Sequence, residues 1–211
     1  PQDICVKLPD HASLEIGSLL EAAGVAVHAV QRADYAVAGR AVLVSGGGPV
    51  GLVVAYLAQL MGASHVIVVE PNPYRRAQAQ KIGALAMPPG VEVVERCREF
   101  TGRRGGFDVA FECSGAPAAL PSLFEALRRE STLVTVGHPS RPAEINIAAH
   151  INKKGITLRG IFGRRLWDTW EQLMLLVETG RLDLSALVTH RREGGPLAVL
   201  FLDLDDFKAV N

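Results

Sequence analysis

The sequence predicts an α/β protein: a doubly wound parallel sheet, preceded by a linking helix and followed by an irregular C-terminal tail. Three observations carry that prediction. From Arg40 onward, short runs rich in Val and Ile alternate with longer segments of helical spacing, the order that βαβ units produce. The short runs are apolar throughout instead of alternating, which suits strands covered on both faces. A glycine cluster, "LVSGGGPVG", joins the first run to the helix after it.

Taken in chain order, residues 14–33, "LEIGSLLEAAGVAVHAVQRA", read as one helix or a bent helix pair leading into the sheet. Strands are expected at 41–45, 65–70, 107–112, 131–137 and 156–162, with a weaker candidate at 84–89. Helices are expected at 49–61, 74–82, 91–100, 116–129 and 167–179. Pro49 and Pro73 stand where a first helical turn tolerates proline. Trp167 and Trp170, three apart, are expected to pack together at a seam.

Composition narrows the function. The chain has 211 residues, 48% of them hydrophobic, enough for one large core. Its 22 basic and 22 acidic side chains balance, so no broad charge favours nucleic acid or an anionic membrane as partner. Cys5, Cys97 and Cys113 are odd in number and far apart; they form neither a disulfide framework nor a zinc knuckle, and suit a reducing interior. No stretch approaches the roughly 20 apolar residues of a membrane helix. A cytoplasmic location is the expectation.

Gly46, Gly48 and Gly51 form G-x-G-x-x-G, answered by Glu70 at the end of the next strand, 19 positions later. That strand–turn–helix–strand–acid order is the physical signature of dinucleotide binding. Gly46 permits the tight turn, Gly48 removes a side chain that would hold a pyrophosphate off the backbone, and Gly51 allows close helix packing. The helix start attracts the phosphates. A carboxylate at Glu70 accepts hydrogen bonds from the adenosine ribose and repels a 2′-phosphate, favouring NAD over NADP. Arg75 and Arg76 pull the other way, since either could meet a phosphate or lie over the adenine.

Four stretches carry a family resemblance: "GGGPVG", "VIVVEPNPYRRAQAQKIGA", "FDVAFECSGAP" and "GIFGRRLWDTWEQLMLLVETGRLDLSALVTHR". Together they resemble the cofactor-binding (Rossmann) half of the zinc-dependent medium-chain dehydrogenases, nearest to the branch that oxidises L-threonine. The resemblance spans about residues 14–191. It implies that the backbone N–H of Val50 faces the pyrophosphate and that Arg75 lies beside the ribose held by Glu70. It places Val136, Gly137 and His138 at the border of the nicotinamide, and Ile161 and Phe162 on its carboxamide side with Arg164 nearby. Glu21 matches an acidic residue of the family's proton relay close to the catalytic zinc; flanked by leucines, it would be costly to bury without a partner.

The zinc ligands themselves are not expected in this chain. The family's cysteine and Gly-His-Glu belong to a preceding domain, and the only cysteine ahead of the glycine turn is Cys5. Tetrahedral zinc needs three or four ligands in fixed geometry. The histidines, His11, His28, His65, His138, His150 and His190, are scattered and read as loop or surface residues. Residues 1–39 are accordingly expected to link from a domain that the chain omits, 40–191 to form the NAD-binding domain, and 192–211 to form a strand and helix or a foreign tail. Read alone, residues 196–211 resemble the start of a diguanylate cyclase domain, with Asp203 as its magnesium ligand.

The resulting expectation is the NAD-binding part of an oxidoreductase acting on a small secondary alcohol, L-threonine giving 2-amino-3-oxobutanoate, with zinc only in the intact enzyme. Two alternatives stay open: a non-catalytic NAD-binding module, or a polyol or sugar dehydrogenase of the same superfamily. The strand at 156–162 would lie at a sheet edge, and apolar edges tend to be paired or covered, so a homo-oligomer through that edge is expected.

Overall fold

A computed structural model describes residues 7–9, 12–90 and 92–189. Cys5, His11, His190 and the C-terminal stretch with Asp203 lie outside them. Six parallel strands form one sheet: β1 (Ala41–Ser45), β2 (His65–Val69), β3 (Leu85–Met87), β4 (Phe107–Glu112), β5 (Leu127–Thr135) and β6 (Thr157–Gly160), in the order β3-β2-β1-β4-β5-β6. The order reverses between β1 and β4. The carboxyl ends of these two strands therefore flank the crevice where doubly wound sheets take their ligands.

Both faces of the central strands β1 and β4 are covered, which explains their unbroken apolar runs. On β1, Val42 and Val44 enter one buried cluster while Leu43 enters the other; on β4, Phe111 and Phe107 divide in the same way. Fully burying a side chain of the Phe or Leu class contributes about 1.5–3 kcal/mol. The first cluster also holds α1 (Leu14–Arg32), α2 (Pro49–Leu60) and α6 (Asp168–Glu178). The second is closed by α4 (Glu92–Thr101) and α5 (Ala119–Ala126), and α3 (Pro73–Lys81) follows β2. Through Leu19, Leu20 and Val27, α1 shares its core with the sheet, so residues 14–39 are packed against the domain they were expected only to lead into.

Local chemistry sets the helix starts. Ser13 accepts from the Ile16 N–H at the head of α1, and Asn72 from the Tyr74 N–H at the head of α3. Pro49 and Pro73 occupy the first turns of α2 and α3.

The structure departs from the sequence reading at 116–131. The helix stops at Ala126 and β5 begins at Leu127, inside the span expected to be helical. Leu127 is buried opposite Phe107, and Lys154 Nζ donates to the carbonyls of Phe124, Glu125 and Leu127. Arg128 is drawn to the buried Asp108, its Nε 2.6 Å from Oδ1, while Oδ2 accepts the Ala41 N–H. Arg128 falls within the span 116–129 expected to be helical, and Lys154 lies outside it. Together they tie α5 and β5 to the lower end of the sheet.

His28 is a second departure. It is buried on α1, where its Nδ1 donates to the Gly163 carbonyl at 2.8 Å. Nor do the tryptophans stack at one seam: Trp167 caps α6 half-exposed, whereas Trp170 packs on the first core cluster.

Candidate functional site

Gly46 turns out of β1 with φ +98°, and a Cβ there would stand 2.9 Å from the backbone of Ser114. A Cβ on Gly51 would stand 1.9 Å from the Gly46 carbonyl oxygen. The close approach allowed by Gly51 is therefore to the turn itself, not to the strand expected from sequence. Gly48 differs from both, because a Cβ on it would meet no atom within 4 Å. It is the N-cap of α2 and offers no side-chain hydrogen bond. The leading N–H groups of α2, including that of Val50, thus open onto free space with the positive end of the helix dipole behind them. Open space at a helix start without a side-chain cap suits an anion such as a diphosphate.

Glu70 reaches this turn but is not idle. Its carboxylate is 3% exposed and accepts from the Gly47 N–H at 2.6 Å and the Asn72 N–H at 2.9 Å. An ionised carboxylate has about four acceptor positions, so two bonds leave capacity for hydroxyl donors. Arg76 is committed elsewhere: its Nη1 donates to the carbonyls of Glu70 and Pro71, at 2.8 and 2.6 Å. Arg75 joins Tyr74, Gly47, Gly48 and Leu19 around a hollow beside the turn.

The other expected residues gather at the upper ends of β5 and β6. Val136 is buried, and its N–H and that of Gly137 both donate to the Glu112 carbonyl, at 2.8 and 2.9 Å. Ile161 donates to the Thr135 carbonyl at 3.1 Å, holding the two strand ends in step. Across this gap His138 meets Phe162 edge-to-face at 5.9 Å between ring centroids, and Phe162 is 86% exposed. The loop at Ser114 and Gly115 joins the two groups, because Ser114 underlies Gly46 while Gly115 underlies Gly137.

Glu21 and Arg164 form a third group. Glu21 faces outward, contrary to the burial that its leucine neighbours suggest, and accepts from Arg164 Nη1 at 2.6 Å. Arg164 lies over the Trp170 ring at 5.7 Å and along Gly24 of α1. An open pair of this kind is worth about 1 kcal/mol at most.

Sequence reasoning missed Glu112. This buried carboxylate accepts from the N–H and hydroxyl of Ser114 and from the N–H of Gly115. The one available signal is an acid closing an apolar strand, "FDVAFE". Burial, with Glu112 beside it, pushes the neighbouring Cys113 thiol far up, and burial alone raises Cys97 to about 12. Neither thiol is a ready thiolate near neutral pH.

No group of three or more His, Cys, Asp and Glu side chains among the described residues could hold a metal ion. These residues do not fit a zinc site. No helix among them is long and apolar enough to cross a membrane.

A six-strand parallel sheet in this order, with its glycine turn at the reversal point, defines a Rossmann fold. Residues 49–179 match the zinc-binding dehydrogenase family, and the chain belongs to it. It is 35% identical over 185 residues to an L-threonine 3-dehydrogenase of Colwellia psychrerythraea, covering 87% of this chain and 53% of that protein. The 2R,3R-butanediol dehydrogenase of Bacillus subtilis superposes with a TM-score of 0.78 at 34% identity, over 87% of this chain and 52% of that one. An alcohol dehydrogenase of Thermotoga maritima superposes at 0.79 and 27% identity, over 88% and 52%. The chain spans about half the length of the curated relatives it matches.

Proposed function

We propose that this chain binds NAD at the glycine turn and forms the cofactor half of an oxidoreductase acting on a small secondary alcohol. The observation that carries the reading is the free space at Gly48, set between an uncapped helix start and the Glu70 carboxylate. In this reading Val50 and the α2 terminus hold the pyrophosphate. Glu70, beside Arg75, accepts from the adenosine ribose. Val136, Gly137, His138, Ile161 and Phe162 wall the nicotinamide, with Arg164 nearby. NAD, when bound, supplies the hydride acceptor. Two facts support NAD over NADP: Glu70 stands at the turn, and Arg76 is spent on backbone carbonyls.

Glu21, paired with Arg164 on the outer face of α1, is read as a member of the proton relay. The metal ligands of the family's chemistry come, in this proposal, from outside the described residues. In this proposal residues 40–191 are the cofactor domain, 1–39 the linking segment from the substrate domain, and 192–211 a C-terminal strand and helix or a foreign tail.

For substrate we propose a methyl carbinol whose neighbouring carbon bears an amine or a hydroxyl. L-Threonine and 2,3-butanediol share that motif, and relatives named for each are about equally similar to this chain. Threonine, giving 2-amino-3-oxobutanoate, is the member we favour, because the threonine dehydrogenases recur among the relatives.

Calorimetric titration tests the cofactor reading. Saturable NAD binding, at least about tenfold tighter than NADP (some 1.4 kcal/mol), is expected. Binding of neither, or a preference for NADP, would overturn it. We further propose that two copies pair along β6, an edge strand whose Thr157, Leu158 and Gly160 are exposed. Light scattering should then give a dimer mass or a multiple of it; a monomer at every concentration would remove this part.

A further inference from the structure

Glu112 is the buried acid of the sheet that the cofactor reading leaves without a task. It ends β4, one of the two strands at the reversal point, and pairs with Ser45 on one side and Thr135 on the other. Its main-chain carbonyl takes the N–H groups of Val136 and Gly137 together. Its carboxylate takes Ser114 and Gly115: Oε1 accepts from Ser114 N at 2.8 Å, from the Ser114 hydroxyl and from Gly115 N at 3.1 Å, and Oε2 lies 3.3 Å from Gly115 N. One residue therefore fixes the loop after β4 with its side chain and the loop after β5 with its backbone.

The two loops are pressed together at that point. A Cβ on Gly137 would stand 2.7 Å from Glu112 Oε2 and 2.2 Å from Gly115 N. A Cβ on Gly115, whose φ is +65°, would stand 3.0 Å from the His138 carbonyl. The spacing between Gly115 and Gly137 is set by the carboxylate wedged beside them.

A doubly wound sheet binds a dinucleotide as two mononucleotide halves, one on each side of the reversal point. The β1–β3 half carries the glycine turn and Glu70. The β4–β6 half carries the floor that Glu112 organises, with His138 and Phe162 above it. We infer that Glu112 is a positioning residue for the nicotinamide half of the cofactor, holding Gly115, Val136 and Gly137 at the height the ring needs. This inference rests on the NAD reading above. It assigns Glu112 no contact with the cofactor and no share in proton transfer.

The test compares NAD with ADP-ribose, which keeps the adenosine, pyrophosphate and second ribose but lacks the nicotinamide. Both are titrated calorimetrically into the full chain and its variants. Glu112→Ala removes the acceptor of the Ser114 and Gly115 N–H groups and the wedge beside Gly137, and is expected to weaken NAD by about tenfold or more, with ADP-ribose within about threefold of wild type. Glu112→Gln keeps an oxygen for Ser114 and Gly115 and should restore NAD binding to within about threefold. Glu112→Asp, one methylene shorter, should show the same NAD-selective loss and carries the test if the alanine variant does not fold.

Equal losses for both ligands in the Ala and Asp variants would mean that Glu112 only stabilises the fold, and would overturn the inference. Unchanged NAD binding would overturn it too. If the wild-type chain bound neither ligand, the cofactor reading itself would fall and this inference with it; if it bound both, only the variants would decide.

Discussion

Gly51→Ala is expected to abolish measurable NAD binding and to lower the unfolding temperature. The added methyl would stand 1.9 Å from the Gly46 carbonyl oxygen and 3.1 Å from its carbonyl carbon. Both are backbone atoms, so no side chain can swing away. Either α2 shifts or the turn opens. Overpacking of a rigid site costs about 1–3 kcal/mol, occasionally more, which for a domain of this size is a fall of roughly 2–12 °C. The binding loss should be larger, at least about 100-fold, because the displaced groups are the ones that would cradle the pyrophosphate. Thermal unfolding and calorimetry of the same variant check both parts. Native stability and affinity would show that the turn accepts a side chain, and that the close contact at Gly51 has no bearing on binding.

Glu70→Ala is the second large effect, and it separates two jobs of one carboxylate. Its removal strands the buried Gly47 N–H and frees the Asn72 N–H. A stranded buried donor costs about 1–3 kcal/mol, so the variant should unfold several degrees earlier. NAD affinity should fall by about 30- to 100-fold, since the hydrogen bonds to the ribose and the geometry of the turn go together. NADP should lose far less, because the repulsion of its 2′-phosphate goes with the carboxylate. The NAD-to-NADP ratio, expected to approach one, is the informative number. A ratio equal to that of wild type would show that Glu70 only braces the turn.

The central strands β1 and β4 were legible because burial on both faces leaves a short apolar run, and the glycine turn because its contacts are local. Gly46 and Gly51 lie five residues apart and touch each other. The misreadings share a cause, which is a partner distant in sequence. Arg128 looks like helix surface until Asp108, 20 residues earlier, is placed beside it. Glu21 looks buried among leucines until Arg164, 143 residues later, draws it outward. Glu112 has the same difficulty in sharper form. What gives it meaning is the backbone of Gly137 in the loop after the next strand, and a backbone atom leaves no trace in a residue pattern. Glu70 was read as the acceptor for the ribose, and its bond to Gly47 was invisible, because any residue but proline at position 47 would carry that N–H.

The reversed strand order also governs how the chain comes off the ribosome. β1 is flanked by β2 and β4, but β4 begins only at Phe107, after two further strands and three helices. At about 5–20 residues per second, the roughly 65 intervening residues take some 3–13 s to emerge. Throughout that interval the nascent chain presents an open edge at β1, apolar on both faces and holding unpaired backbone groups. The β1–β3 half can assemble first, but its open edge closes only when Phe107–Glu112 arrives to pair with Val42–Ser45. A contact this distant in sequence is slow to form. The crevice at the reversal point is therefore the seam whose two strands emerge furthest apart during synthesis, and the place where a chaperone or a neighbouring nascent chain would find something to hold.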